Sequence, residues 1–461
     1  MPEREYDVVI VGAGPAGIFA ALALAEDSDL SVLVVERGLD IKQRRCVMRE
    51  RRASCRHDDP CHLMAGWGGA GAFSDGKLNL SIEVGGQLAA YVGADTAREL
   101  IGEVDDLYLR FGAPEQLYGA DPDVVQDYER KAARAEMKLV SSRIRHLGTE
   151  NCPKVLTAMR QALDGRVDVL TRTRVEELLV EGGADRGVML QGGQTVPAAH
   201  VILAPGRSGA AWLAGEAHRL GLETLRNPVD VGVRVEVPAP VLEDLSRDLY
   251  EAKLIYYSKS FDNQVRTFCM CPRGEVVTEY SAGVVTVNGH SYADRPTDNT
   301  NFALLCSNTF TEPFKEPIEY GRSIARLANL LGDGVLVQRL GDLRAGRRST
   351  AARLAHSTIR PTLPEATPGD LSFVLPHRHL SSLLEMLEAM EALAPGVAGR
   401  YTLLYGVEVK FYSSRLMLSH TLETQVKSLF AVGDGPGVTR GLVQASASGI
   451  VAAREIIRRT R

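Results

Sequence analysis

Residues 6–38 read YDVVIVGAGPAGIFAALALAEDSDLSVLVVERG, and the fold follows from this stretch. Asp7 to Val11 is a continuous apolar run behind one acid, the pattern of a parallel strand covered on both faces. Gly12, Gly14 and Gly17, with Pro15 and Ala16 between them, form the spacing G-x-G-x-x-G. Gly12 permits a tight turn, Gly14 lets backbone approach a pyrophosphate, and Gly17 allows the following helix to pack closely on the strand. The helix N-terminus then offers N–H groups and the positive end of its dipole to phosphate oxygens. The reading predicts a helix to about Ala25 and a second strand from Ser31 to Val35. Glu36 follows, 36 − 14 = 22 residues past the second glycine. An acid at that distance is placed to accept hydrogen bonds from a ribose. Strand, glycine turn, helix, strand and acid together predict a Rossmann-like α/β dinucleotide site.

The rest of the composition bounds the function. The chain has 461 residues, enough for two or three structural units. Its 53 Lys and Arg against 58 Asp and Glu give a net charge of −5, the wrong sign for a nucleic-acid binder. The longest apolar run, Val8 to Ala25, is interrupted by glycines and a proline, so no membrane span is expected. Met1-Pro2-Glu3-Arg4-Glu5 lacks the layout of a signal peptide, and a cytoplasmic location is expected. Seven cysteines, none in a CxxC pair, argue against both a disulfide scaffold and a zinc site. Cys46, Cys55 and Cys61 lie close in sequence and Cys269 and Cys271 form a CxC. Reduced thiols are the expectation, and no metal.

Far down the chain, Ser428 to Gly437 reads as a short apolar strand ending in Gly433 and Asp434. A small-residue helix follows from Gly441–Leu442, carrying Ser446 and Ser448, which read as packing groups. With the first motif, this return resembles the FAD-dependent oxidoreductases of the glutathione-reductase/p-hydroxybenzoate-hydroxylase class. The resemblance implies FAD, with Asp434 on the ribityl chain and the helix start at the pyrimidine edge of the flavin. Further segments resemble a bacterial family of FAD-dependent dehydrogenases. They are Gly66 to Asn79 (a GGAGxxSDGKL loop), Asp230 to Pro238 (DVGVRVEVP), Phe268 to Glu275, and Val287-Asn-Gly-His290. In the loop, Gly68, Gly69 and Ser74 are implied to lie near the cofactor, and Lys77 is read as donating to the flavin or holding an anionic substrate. The alternative is that Lys77 pairs with Asp75 and pins the loop. By analogy with the class, Val175 lies near the adenine, and Gly206 follows the strand by which the chain leaves the FAD domain.

The expected architecture is α/β: a glutathione-reductase-type, Rossmann-like FAD-binding domain, a mixed-sheet substrate domain and a helical insertion. The boundaries are 1–84 and 151–224 for the FAD domain, 85–150 for the insertion, 225–400 for the substrate domain and 401–461 for the return. A helix is expected from Leu383 to Leu393, capped by Ser381 or Ser382. Arginines 37, 44, 45, 49, 51, 52 and 56 read either as contacts to FAD phosphates or as a solvated face, and Arg37 enters the cofactor set. An acid or base over the flavin is sought among His290, His356, His377, Glu408, Lys410 and Tyr412. Arg234, inward-facing in a strand, needs an anion and is read as a carboxylate binder, with Arg266 the less unusual counterpart. Catalytic candidates are therefore Lys77, His290 and Arg234. The reaction expected is hydride transfer between flavin N5 and a small organic substrate. NAD(P)H or another electron donor or acceptor would bind without a domain of its own, since no second glycine motif follows a strand. A flavin monooxygenase and a non-catalytic electron carrier remain alternatives.

Overall fold

In the computed structural model, which describes residues 5–46, 58–225, 228–281, 283–291, 295–308, 316–411 and 415–461, the strand Tyr6–Val11 sits inside a largely parallel sheet. It pairs in parallel with Val32–Val35 on one side and Thr195–Leu203 on the other. Asp168–Leu170 extends the sheet beyond Val32–Val35, and Leu429–Ala431 pairs in parallel with Thr195–Leu203. The hairpin Val175–Glu181 and Ala184–Leu190 adds antiparallel to Thr195–Leu203. Both faces of the central strand are covered: Val8 and Ile10 enter one core and Val9 and Val11 another, as its unbroken apolar run requires. The helix Pro15–Asp27 is rich in alanine because it meets the helix Leu442–Thr460 at backbone distance. A Cβ on Gly449 would come within 2.0 Å of the Ala16 carbonyl oxygen.

The chain divides into two units. The first holds Met1–Gln116, Arg145–Arg226 and Ser413–Arg461, and the second Leu117–Ile144 and Asn227–Tyr412. The stretch 85–150, expected as one helical insertion, is shared between them. Leu88–Val92 and Ala94–Arg110 are helical, and Leu100, Ile101 and Val104 enter the core of the first unit. Pro122–Arg134 is also a helix, but Met137–Val140 is a strand paired antiparallel with Lys253–Tyr257 in the second unit. That strand shows only four residues of alternation, too few to outweigh the helical pattern before it. Leu403–Lys410 likewise pairs with Val229–Pro238 and Leu336–Arg339, so the return to the first unit begins later than residue 401.

Among the described residues, the second unit is built on an eight-stranded mixed sheet, antiparallel except where Leu336–Arg339 meets Thr367–Pro368. Val229–Pro238 alternates valine with aspartate, glycine, arginine and glutamate. Val231, Val233, Val235 and Val237 enter an apolar core with the helices Pro317–Gly332 and His377–Met390. The opposite face carries Asp230, Arg234 and Glu236, and these are buried as well. The helix expected from Leu383 starts at His377 behind Pro376. Ser382 is therefore no cap, and its hydroxyl donates to the Arg378 carbonyl within the helix. Among the described residues, no helix is long and apolar enough to cross a membrane.

Candidate functional site

The glycine turn of the first unit divides its three glycines by what surrounds them. Gly12 has φ +106°, and a Cβ there would lie 2.2 Å from the Ala204 carbonyl oxygen. A Cβ on Gly17 would lie 2.0 Å from the Gly12 oxygen. Gly14 has nothing within 4 Å, so its side of the turn is open. It is also the N-cap of Pro15–Asp27, with no side chain capping that end. The first intrahelical bond runs from Ile18 N–H to Gly14, which leaves the Ala16 and Gly17 amides at an open helix terminus. This is the cradle a pyrophosphate needs.

Glu36 is buried directly behind the turn. Its Oε2 accepts from Ala13 N–H at 2.8 Å, and its Oε1 from Gly38 N–H at 2.8 Å and Gly66 N–H at 2.9 Å. The acid expected to meet a ribose is thus first a strut joining the glycine turn, its own strand end and the 66–79 loop. That loop lies against the turn: Gly68 N–H donates to the Ala13 carbonyl at 2.7 Å, and a Cβ on Gly69 would be 3.1 Å from Gly14 Cα. Arg44, one of the arginine run, is neither on a solvated face nor at the open end of the turn. Its guanidinium donates to the carbonyls of His62, Leu63, Trp67 and Gly69, and burial pushes it down to about 10 while Glu36 acts to raise it. Arg49, Arg51, Arg52 and Arg56, with Cys55, lie outside the described residues. Beyond the strand ends a cleft of about 250 Å³ is lined by Arg37, Gly38, His62, Arg172, Arg174 and Gln191, among others. Arg37 also donates to the Ser208 carbonyl, and Val175 is buried at the start of its strand.

The far end of the chain completes this unit as the sequence implied. Gly433 has φ +80°, and its N–H donates to Ser448 Oγ at 2.9 Å, so Ser448 does more than pack. Asp434 accepts from Thr439 Oγ1 at 2.8 Å; burial raises its carboxyl above the usual range, against the pull of Arg207. Gly206, at φ +60°, approaches the same segment: a Cβ on Gly435 would be 3.0 Å from its oxygen. Leu442–Thr460 begins behind Gly441 with no side-chain cap. Gln444, absent from the candidate set, pins the neighbouring loop, donating from Nε2 to the carbonyls of Ser81, Ile82 and Val84 and accepting from Leu88 N–H. The sequence signal was there: one long polar side chain in the alanine- and serine-rich first half of the helix.

Lys77 and Asp75 form the pair given as the alternative, at 3.1 Å, with the lysine side chain 7% exposed. Ser74 closes the same turn, its hydroxyl donating to Gly71 and accepting from Gly76 N–H. Leu147 and Gly148 bond back to Gly76 and Asp75, bringing His146 beside the pair. Burial lowers the His146 imidazole below its usual value; Asp75 raises it and Lys77 lowers it. His146 was not among the sequence candidates.

In the second unit Arg234 has its anion, and it is internal. Nη1 sits 3.4 Å from both Glu408 oxygens, Nε donates to Asn301 Oδ1, and Nη2 to the Cys269 carbonyl and Cys271 Sγ. Burial disfavours its charge, but Glu408, Cys271 and Cys269 together more than offset this and raise it. The reading of Arg234 itself as an external carboxylate binder is therefore corrected: every one of its nitrogens is engaged inside the fold. Asn301 Nδ2 is a buried donor with no partner among the described residues. His290 ends the strand Val284–His290 opposite Glu275, next to Gly289, whose Cβ position lies 2.1 Å from Arg234 Nη2. His356 is bonded to the Ala352 carbonyl, His377 stacks edge-on with Phe261, and His379 is bonded to Asn308. Tyr412 lies outside the described residues. No group of His, Cys, Asp or Glu that could hold a metal occurs among the described residues.

Three family models match parts of the chain. Residues 228–411 match the family model "FAD-dependent protein, C-terminal domain-like". Residues 10–75 match "NAD(P)-binding Rossmann-like domain", and residues 362–461 match "Glucose inhibited division protein A". An uncharacterized protein of Clostridium beijerinckii is 29% identical over 97% of this chain and 80% of its own length. The mitochondrial electron transfer flavoprotein-ubiquinone oxidoreductase of Oryza sativa subsp. japonica is 54% identical over 41 residues, 8% of this chain and 7% of that protein. Glycine oxidase from Geobacillus kaustophilus overlaps 99% of this chain and 95% of its own at 14% identity and a TM-score of 0.41. The chain thus joins a segment similar to a Rossmann-like nucleotide-binding domain in one unit to a segment similar to the C-terminal domain of an FAD-dependent protein in the other, on an α/β architecture.

Proposed function

We infer that FAD lies along the first unit and that the chain transfers a hydride between flavin N5 and a small organic substrate. The observation that carries the cofactor placement is the open side of Gly14 at an uncapped helix N-terminus, between two glycines locked by backbone contact. The Ala16 and Gly17 amides would hold the pyrophosphate. Glu36, whose Oε2 has spent one acceptor site on Ala13, has capacity left for a ribose hydroxyl. Arg37 and Val175 border the adenosine end, and Gly68, Gly69 and Ser74 form the neighbouring loop. Gly206, Gly433 and Asp434 would contact the ribityl chain, with the Gly441–Leu442 helix start at the pyrimidine edge. When bound, FAD supplies the two-electron chemistry. The protein orients the cofactor, keeps water out and holds charge where it is needed. Lys77, fixed by Asp75, keeps a cation inside the loop, where it would favour negative charge on a neighbouring ring. His290 is retained as an acid–base candidate at the hairpin end.

The test is direct. The purified protein should be yellow and release one FAD per chain on denaturation, and substrates should bleach it anaerobically. A protein that takes up NAD and excludes FAD overturns the reading.

A further inference from the structure

We propose that Arg347 and Arg353, on the surface of the second unit, form an anion site that takes a phosphate group carrying two negative charges, as in a phosphate monoester. The inference stands apart from the cofactor reading above. Between Gly334 and Pro364 the chain holds six arginines, no lysine and one carboxylate, Asp342. The strand Leu336–Arg339 runs straight into the helix Leu340–Arg344, and Asp342 is buried in that helix. Its Oδ1 accepts from Arg339 Nη2 and Arg347 Nε, both at 3.0 Å. Its Oδ2 accepts from Arg339 Nε and Ser349 Oγ, both at 2.8 Å. A carboxylate has about four acceptor sites, so Asp342 is full. Burial works against its charge, yet Arg339, Ser349 and Arg347 hold the carboxyl down to about 2. Arg353 Nε stops 4.0 Å from the same Oδ1 and makes no hydrogen bond to it.

The two guanidiniums are neighbours at one carboxylate oxygen, and neither is used up. Arg347 is tied only through Nε, and Arg353 only through Nη1, which donates to the Arg348 carbonyl at 2.7 Å. Both Nη atoms of Arg347, with Nε and Nη2 of Arg353, donate to nothing among the described residues. The two side chains are 51% and 37% exposed, so these donors reach solvent. Asp342 answers one of the three cations set on it, Arg339, Arg347 and Arg353, and two positive charges are left over. Counting outward does not remove them. Arg344 is matched by Glu388 at 3.2 Å, and Arg348, Arg360 and Arg400 are matched in number by Asp370, Glu365 and Glu391. The whole chain carries −5, so this surplus runs against the charge of the molecule. Holding the loop does not demand it. Arg339 and Ser349 already satisfy Asp342 on both oxygens, and Ser349 N–H bonds the Gly369 carbonyl. Two guanidiniums aligned by a shared buried carboxylate, with their planar forks unspent, suit a phosphate, which accepts from such forks bidentately. Alignment in advance also lowers the ordering cost of binding.

The probes are methyl phosphate, a dianion at a pH of about 8, dimethyl phosphate, a monoanion, and inorganic phosphate. They are titrated calorimetrically at low ionic strength into the protein as purified, because salt screens exposed charges. Saturable methyl phosphate binding at least about tenfold tighter than that of dimethyl phosphate is expected in the wild type. Inorganic phosphate should compete, and its strength relative to the ester tells a free phosphate from an esterified one; either order supports the site. Arg353→Gln, which gives up no bond to Asp342, should weaken methyl phosphate at least about tenfold, and Arg353→Lys, which keeps the charge but loses the fork, should restore only part of it. Arg347→Gln should act in the same direction. Binding at the glycine turn of the first unit would be untouched by these substitutions. Equal affinity of wild type for the monoester and the diester, or no binding of any probe, overturns the proposal even if a variant fails to fold. So does methyl phosphate binding that survives both Arg353→Gln and Arg347→Gln. The FAD content of the same samples bears on the cofactor reading alone.

Discussion

Replacing Glu36 with glutamine keeps size and shape but removes one acceptor from a carboxylate that serves three backbone amides. The glutamine carbonyl can take over Oε1 and continue to accept from Gly38 and Gly66. Its amide nitrogen then faces Ala13 N–H, donor against donor, in a buried place. An unsatisfied buried donor costs about 1–3 kcal/mol, and turning two charge-assisted bonds into neutral ones adds about 1 kcal/mol. The sum is about 2–4 kcal/mol of folding stability, besides any loss of ribose contact. The assay is urea unfolding of the FAD-stripped protein, where the midpoint should fall by on the order of 1 M, alongside a titration of FAD. Destabilisation without cofactor present is the signature of the strut. If stripped Glu36→Gln unfolds within about 0.5 kcal/mol of wild type and only FAD affinity falls, the side chain serves the nucleotide alone and the reasoning is refuted.

Gly14→Ala should leave the stripped protein as stable as wild type, since its Cβ meets nothing within 4 Å, yet weaken FAD at least about tenfold, or roughly 1.4 kcal/mol. Gly12→Ala should destabilise both forms, because its φ of +106° and the 2.2 Å approach to Ala204 leave no room; thermal melts with and without FAD separate the two cases. Lys77→Met should retain FAD, lower the flavin potential and slow substrate reduction by about tenfold, or roughly 1.4 kcal/mol; an unchanged potential and rate would make Lys77 a pin for its loop. Burial, with Arg378 next, pushes His379 down to about 4, so between that value and the usual 6.5 the unfolded chain binds the extra proton. Stability from this group is complete above pH 6.5 and falls as the pH drops, by up to about 1.4 kcal/mol per pH unit. Urea midpoints at pH 7 and pH 5 should show the loss in wild type and a smaller one in His379→Gln.

The glycine turn was legible because its requirements are written in backbone geometry. Gly12 and Gly17 are glycines for steric reasons, Gly14 keeps an open side, and the acid that follows has a fixed distance to the turn. Glu36's role as a strut was hidden because Gly66, one of its three partners, comes from a loop 30 residues on. Arg234 was correctly singled out as needing an anion, but Glu408 is 174 positions away and only strand pairing brings it near. Met137–Val140 was missed for the same reason: its partner strand begins at Lys253, and a short alternation has no meaning until that edge exists. The alternation in Val229–Pro238 was plain, yet alternation normally means a wet polar face, and this one is dry.

The meeting of Ala16 with Gly449 bears on how the protein is made. A ribosome delivers Tyr6–Val11 early, but Leu429–Ala431 and the helix that locks against Pro15–Asp27 come much later in the chain. The second unit emerges in between, and its long stretch from 227 onward can settle before the first has its closing strand. The first unit therefore closes only once Leu429–Ala431 and Leu442–Thr460 are available, and not at the moment the glycine turn is synthesised. A stalled or truncated chain would display the turn and bind little.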